Sequence, residues 1–164
     1  MADGEGRSFT IRAAERRDVP EILAMIRELA AYERLAEKAV GDERRLEESL
    51  FERRAAEALI AEAGGTAIGY AIYFTTFSTF LCWPGLWCED IFVRPPWRGE
   101  GVGGALLTAI AAVAAERGYE RLDWAVLDWN RDAIAFYEEL GAEPLGDWRL
   151  MRLEGERLRR AAAR

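Results

Sequence analysis

Histidine is absent from all 164 residues. Without an imidazole, any proton transfer must use a carboxylate, a tyrosine, a cysteine or water. Serine–histidine and cysteine–histidine nucleophiles are excluded as well. Lysine is nearly absent: Lys38 is the single lysine among 22 basic residues. The only cysteines are Cys82 and Cys88. Five intervening residues are not a usual zinc spacing and no imidazole completes a site, so no metal is expected. Two thiols in a cytosolic chain read as reduced and structural. No run approaches the roughly 18 apolar residues of a membrane span. The opening stretch, MADGEGRSF, lacks the apolar core of a secretory signal. A cytoplasmic location with no membrane partner is the default expectation.

The length fits a single domain with a sizeable core, expected over residues 7–155 with flexible termini at 1–6 and 156–164. Hydrophobic residues make up 51% and charged residues 31%, an ordinary globular balance. The net charge of −7 argues against a nucleic-acid partner, which needs a basic face. It suits a cationic substrate, although solubility alone also accounts for an acidic chain.

Alternation predicts strands at 8–13, 58–63, 66–76, 86–93, 121–127 and 148–153. Gly64-Gly65 makes the second and third a hairpin. Helices are expected from Asp18 to Tyr32, from Gly41 to Leu50, from Gly101 to Arg117 and over 133–140. Asp18 reads as the N-cap of the first, with Pro20 in its first turn and Glu21 at the capping-box position. Residues 154–164 read as a helix end or a frayed tail. The order is a mixed α/β arrangement.

The stretch from Arg98 to Gly141 carries the chemistry. It opens with RGEGVGG, between a predicted strand and a predicted helix. Glycines there permit φ > 0 and close backbone approach. The helix start offers unpaired N–H groups and a positive dipole end, which suit a pyrophosphate. A tight turn without a ligand is the plainer alternative, but four glycines in six residues exceed what a turn needs. Gly99-x-Gly101-x-x-Gly104 formally fits the dinucleotide fingerprint. Asp123, however, falls near the start of its strand, where a ribose-binding acid does not belong. No Lys-Ser/Thr pair follows, so the P-loop pattern fails.

Arg98-x-x-Gly101-x-Gly103 after a strand resembles the acetyl-coenzyme A signature of the GNAT N-acetyltransferases. The likeness runs from Ile11 to Leu153. AAYE (30–33), WCEDIFV (87–93), WRGEGVG (97–103), DWNRDAIAFYEELGA (128–142) and WRL (148–150) most resemble the diamine (spermidine/spermine) and thialysine acetyltransferases. The resemblance implies the GNAT fold, with a mixed sheet of about six to seven strands and about four helices. It also implies acetyl-CoA as co-substrate, direct attack by a small cationic amine in a ternary complex, and a homodimer. The last strand and the 77–88 segment are candidate dimer contacts, and Phe77, Phe80, Trp83 and Trp87 read as exposed aromatics.

Carried over residue by residue, Glu89 matches the base, acting directly or through water, and Tyr137 the general acid. A phenol's ordinary pKa of about 10 is matched to a thiolate leaving group. The plainer readings are an edge-strand carboxylate for Glu89 and a core tyrosine for Tyr137. Alternation sets Glu89, Ile91 and Val93 on one face of their strand and Asp90 and Phe92 on the other. By resemblance the backbone of Ile91, Phe92 and Val93 receives the thioester arm. Arg98, Gly99, Glu100, Gly101, Val102, Gly103 and Gly104 hold the pyrophosphate, and Asn130, Ala133, Phe136 and Tyr137 meet the coenzyme from the later helix. Asn130 also reads as that helix's N-cap.

Tyr32, Glu33, Glu89, Asp123, Trp124 and Ala125 would line the amine site, where acidic and aromatic groups suit a flexible cation. A solvated helix end explains Tyr32 and Glu33 as well, and a core position explains Trp124. The loop 143–147 is shorter and less acidic than in the polyamine enzymes, which leaves a smaller amine or a lysine-like amino acid open. A non-catalytic acyl-CoA-binding module and a protein or peptide amine acetyltransferase are the rival readings.

Overall fold

The computed structural model describes residues 7–163, so the expectation for residues 1–6 lies outside the described residues. The chain forms two compact units, one running to Ala125 and one starting at Val126.

The first unit is built on five strands: β1 (Thr10–Ala13), β2 (Glu57–Ala63), β3 (Thr66–Ser78), β4 (Trp83–Val93) and β5 (Leu122–Trp124). They lie in sequence order, with the first three pairings antiparallel and β4–β5 parallel. Between β1 and β2 run α1 (Val19–Tyr32) and α2 (Glu43–Glu47), the latter continuing into one π-type turn at Glu48–Glu52. The helix α3 (Val102–Glu116) joins β4 to β5. A parallel pair needs such a crossover, and α3 supplies it.

Each face of the sheet has its own core. Leu106, Ile110 and Ala114 of α3 pack on Leu59, Ile68, Ala71, Leu86 and Cys88. Ile22 and Met25 of α1 pack on Ile60, Tyr70, Ile72 and Phe92. Tyr70, Ile22, Met25, Ile60, Leu106 and Ile110 are completely shielded from solvent. Burial of that kind contributes about 1.5–3 kcal/mol for each large side chain.

Asp18 departs from its expected role. It precedes α1, but its carboxylate makes no cap bond to that helix. It accepts instead from the Glu15 N–H (2.7 Å) and from both Arg12 Nη atoms (2.6 and 2.8 Å). The capping box therefore closes one turn early, around the short 3-10 helix Arg16–Asp18. Arg12 on β1 pulls the carboxylate away from the α1 N–H groups.

The second unit holds α4 (Arg131–Glu139) and α5 (Gly155–Ala162). Among the described residues there are thus five strands rather than six to seven, and five α-helices rather than about four. Residues 148–153 alternate but pair with no strand, and Trp148, Leu150, Met151 and Leu153 are exposed. Alternation yields a strand only where a neighbour offers its backbone. The tail supplies the additional helix.

Candidate active site

The loop before α3 is shaped by backbone rather than side chains. Gly101 is the N-cap of α3 at φ +80°, in the left-handed region, and no side chain caps the helix. Gly99 is also left-handed, at φ +78°. A Cβ at either glycine would meet nothing within 4 Å, so the loop faces open space. The first amides of a 15-residue helix are left for an outside acceptor. Val102 is buried and anchors the turn, and Gly103 leaves space beside Val93. Glu100 is exposed and Gly104 half-buried. Unpaired amides at a helix start are a general acceptor site for anions.

Arg98 turns back toward the sheet. Its Nε donates to the Val93 carbonyl (3.0 Å), and its guanidinium lies 4.8 Å from the centre of the Tyr32 ring and 5.7 Å from that of Phe92. The glycine loop, the end of α1 and the end of β4 are thereby joined through one side chain.

The end of β4 has an open edge. β5 pairs with Leu86, Trp87 and Cys88, and among the described residues no strand pairs with β4 on that side from Glu89 onward. The Arg94 N–H bonds to Ile68 across β3. With the alternation of backbone direction, Phe92 and Asp90 then turn their amides toward β3. Ile91 and Val93 turn theirs to the open edge, where Arg98 meets the Val93 carbonyl. Phe92 pairs with Tyr70 inside the sheet, and its ring is buried.

A β-bulge interrupts the ladder beside the acids. Ile72 pairs with Asp90 and Tyr73 with Cys88, which leaves Glu89 as the extra residue. Cys88, Ile91 and Val93 all join the core on the α3 side, while Phe92 joins the other. Strict alternation forbids Cys88 and Ile91 on one face; the additional residue allows it. The extra residue interrupts strict alternation at Glu89. It is exposed and accepts from the Trp87 Nε1–H at 2.9 Å.

Asp90 and Tyr70 were not singled out from the sequence. Tyr70 is fully buried, and its hydroxyl donates to Asp90 Oδ2 at 3.3 Å. Burial pushes the Asp90 carboxyl up to about 6, with Glu89 and Glu33 adding to the rise. Glu33, half-buried just past α1, is raised by burial too. The Tyr70 phenol is raised well above its ordinary value, by burial first and then by Asp90. Among the described residues no arginine or lysine forms an ion pair with Glu33, Glu89 or Asp90. The signal available in the sequence was a Glu-Asp pair inside an otherwise apolar strand.

The remaining first-unit residues are placed as follows. Tyr32 ends α1 and Glu33 follows it. Asp123 on β5 is paired with Arg121 at 2.7 Å, so its charge is already answered. Trp124 packs on the α3-side core and Ala125 is exposed. Burial pushes the Cys88 thiol up to about 12, which removes it as a nucleophile. Among the described residues no group of acids and thiols could hold a metal, and no helix is long and apolar enough to cross a membrane.

In the second unit Asn130 is the N-cap of α4, its Oδ1 accepting from the Ala133 N–H at 3.4 Å. Phe136 and Tyr137 are half-buried, with ring centres 5.3 Å apart. Gly141 closes the helix end at φ +87°.

Residues 22–142 match the family model described as Acetyltransferase (GNAT) family. A thialysine N-epsilon-acetyltransferase of Sus scrofa is 37% identical over 171 residues, covering 96% of this chain and 99% of that protein. The L-ornithine N5-acetyltransferase NATA1 of Arabidopsis thaliana is 46% identical over 90 residues, 55% of this chain and 40% of that one. Among solved structures, an integron cassette protein from the mobile metagenome of V. cholerae superposes with a TM-score of 0.79 at 25% identity. It covers 96% of this chain and 99% of its own.

Proposed function

Because the chain belongs to the GNAT acetyltransferase family, we propose that it acetylates a primary amine of a small cationic substrate, with acetyl-CoA as donor. The acceptor class is a diamine, a polyamine or a lysine-like amino acid. The observation that carries this reading is the α3 start, capped by Gly101 with no side chain, together with an open β4 edge beside three carboxylates that have no basic partner among the described residues. One end fits a pyrophosphate and the other a cation. The relatives acting on thialysine and ornithine support the same acceptor class.

Acetyl-CoA supplies the activated thioester. The amides of Val102, Gly103 and Gly104 hold the pyrophosphate, and the Ile91 and Val93 edge groups orient the arm along β4. Glu89 takes the proton of the attacking ammonium, directly or through one water, leaving a neutral amine. Tyr137 gives its proton to the departing sulfur. Direct attack without an acetyl-enzyme suits a chain whose core thiol is buried and which has no histidine. A homodimer, a cytoplasmic location and a single domain over 7–155 complete the proposal.

The test is coenzyme A release with a panel of diamines, polyamines, lysine and thialysine. Acetylation of at least one, with turnover lost in Tyr137→Phe, is the expected result. Full turnover in Tyr137→Phe would remove the general-acid role. Coenzyme binding with no amine acetylated would favour a non-catalytic binding module.

A further inference from the structure

Asp90 is not needed by the mechanism above, yet it is a half-buried carboxyl within the sheet. Alternation from Phe92 sets it on the α1 side of the sheet, where the buried Tyr70 hydroxyl donates to it at 3.3 Å. The titratable groups around it are Glu33 after α1, Tyr70 on β3, and Glu89 and Cys88 on β4. The guanidinium of Arg98 is committed to Tyr32, Phe92 and the Val93 carbonyl. A half-buried carboxyl with two acidic neighbours and one phenol donor lacks a cation. Among the described residues no arginine or lysine pairs with it, so a proton or a bound cation must supply the missing positive charge.

We propose that Asp90, positioned by Tyr70, is the carboxylate that pairs with the positive charge of the amine substrate, and that the amine displaces a proton from it on binding. The inference rests on the acetyltransferase reading above and adds a residue that selects a cationic acceptor. Glu89 acts on the chemical step, whereas Asp90 acts on binding. Its loss therefore raises the amine KM more than it lowers kcat. The exchange balances: one proton leaves Asp90 for solvent as one ammonium arrives, and no bond to carbon changes.

The signs follow from the neighbours. Amine binding weakens as pH falls through about 6, because the proton then competes. Tyr70→Phe removes a donor that favours the ionised form, so that acid limb moves to higher pH. Glu33→Gln removes a like charge, so the limb moves to lower pH. Asp90→Asn keeps the shape and abolishes the limb.

The experiment measures amine KM and kcat from pH 5 to 8 for wild type, Asp90→Asn, Tyr70→Phe and Glu33→Gln. Calorimetry with 1,5-diaminopentane on coenzyme A-loaded protein runs alongside, in two buffers of different ionisation enthalpy. The expected results are an amine KM about tenfold higher in Asp90→Asn at pH 7.5, an unchanged acetyl-CoA KM, and opposite limb shifts in the other two variants. Wild-type binding should release a proton near pH 6 and Asp90→Asn should not. An unchanged amine affinity and acid limb in folded Asp90→Asn would overturn the proposal, as would limbs that fail to move in Tyr70→Phe and Glu33→Gln. The calorimetric arm needs no turnover, so a failure of acetyl transfer is separable from a failure of Asp90.

Discussion

The Trp87 indole donates to Glu89 Oε2 across 2.9 Å, between residues two apart on β4. Glu89 is the extra residue of the bulge and is exposed, and the indole fixes where it points. Trp87→Phe removes the donor while keeping most of the ring. We expect kcat to fall several-fold with the acetyl-CoA KM unchanged, and Glu89→Gln to cost about 10²-fold or more in kcat. Urea denaturation should show Glu89→Gln within about 0.5 kcal/mol of wild type, since an exposed acid carries little stability. Equal kcat in Glu89→Gln and wild type would sink the base assignment.

Asp18 predicts a pH-dependent stability. It is 7% exposed and receives both Arg12 Nη atoms and the Glu15 N–H. The Arg12 bond, above all, holds its carboxyl below the usual range. A depressed native value means the stabilisation is complete above the unfolded value of about 3.9. It is lost as pH falls through the native value. Asp18→Asn should cost about 2 kcal/mol at pH 7, because Arg12 retains Glu62 at 2.8 Å. The gap between variant and wild type should narrow as pH falls below about 4 in chemical denaturation. A gap that stays constant over that range would refute the ionic origin.

The glycine turn before α3 was legible in the sequence because backbone chemistry is written locally. Glycine at 101 after a strand and before an apolar helix has few other uses, and the structure has it at φ +80°. Asn130 was legible as a cap for the same reason. The break in alternation at Glu89 was not legible. A bulge is a property of the β3–β4 register, and nothing in WCEDIFV marks where the ladder slips. Asp90 stayed hidden too, since its importance comes from Tyr70, twenty residues away on β3. The segment 148–153 has the alternation of a strand, but pairing depends on a neighbour that the segment does not encode.

Gly69 predicts a packing limit beside the site. It pairs with Val93, and a Cβ there would sit 2.7 Å from the Phe92 carbonyl oxygen, a backbone atom that cannot swing away. Gly69→Ala must push β4 from β3. We expect a loss of about 2–3 kcal/mol in denaturant unfolding. The acetyl-CoA KM should rise as well, because the displaced strand carries the Val93 edge. An alanine variant as stable as wild type would show that the two strands separate freely here.

Arg98 predicts a coupling between coenzyme affinity and ionic strength. Its charge lies against the Tyr32 and Phe92 rings, and its Nε holds the Val93 carbonyl. Because it is exposed at the glycine turn before α3, it adds attraction for a phosphate that salt screens. Arg98→Gln should weaken coenzyme A binding about tenfold at low salt and flatten its salt dependence. Arg98→Lys keeps the charge but loses the planar stacking, so it should fall between the two. Calorimetry at 50 and 300 mM salt separates these contributions. If Arg98→Gln keeps both the affinity and the salt slope of wild type, Arg98 is a strut for Tyr32 and Val93 and contributes nothing to phosphate binding.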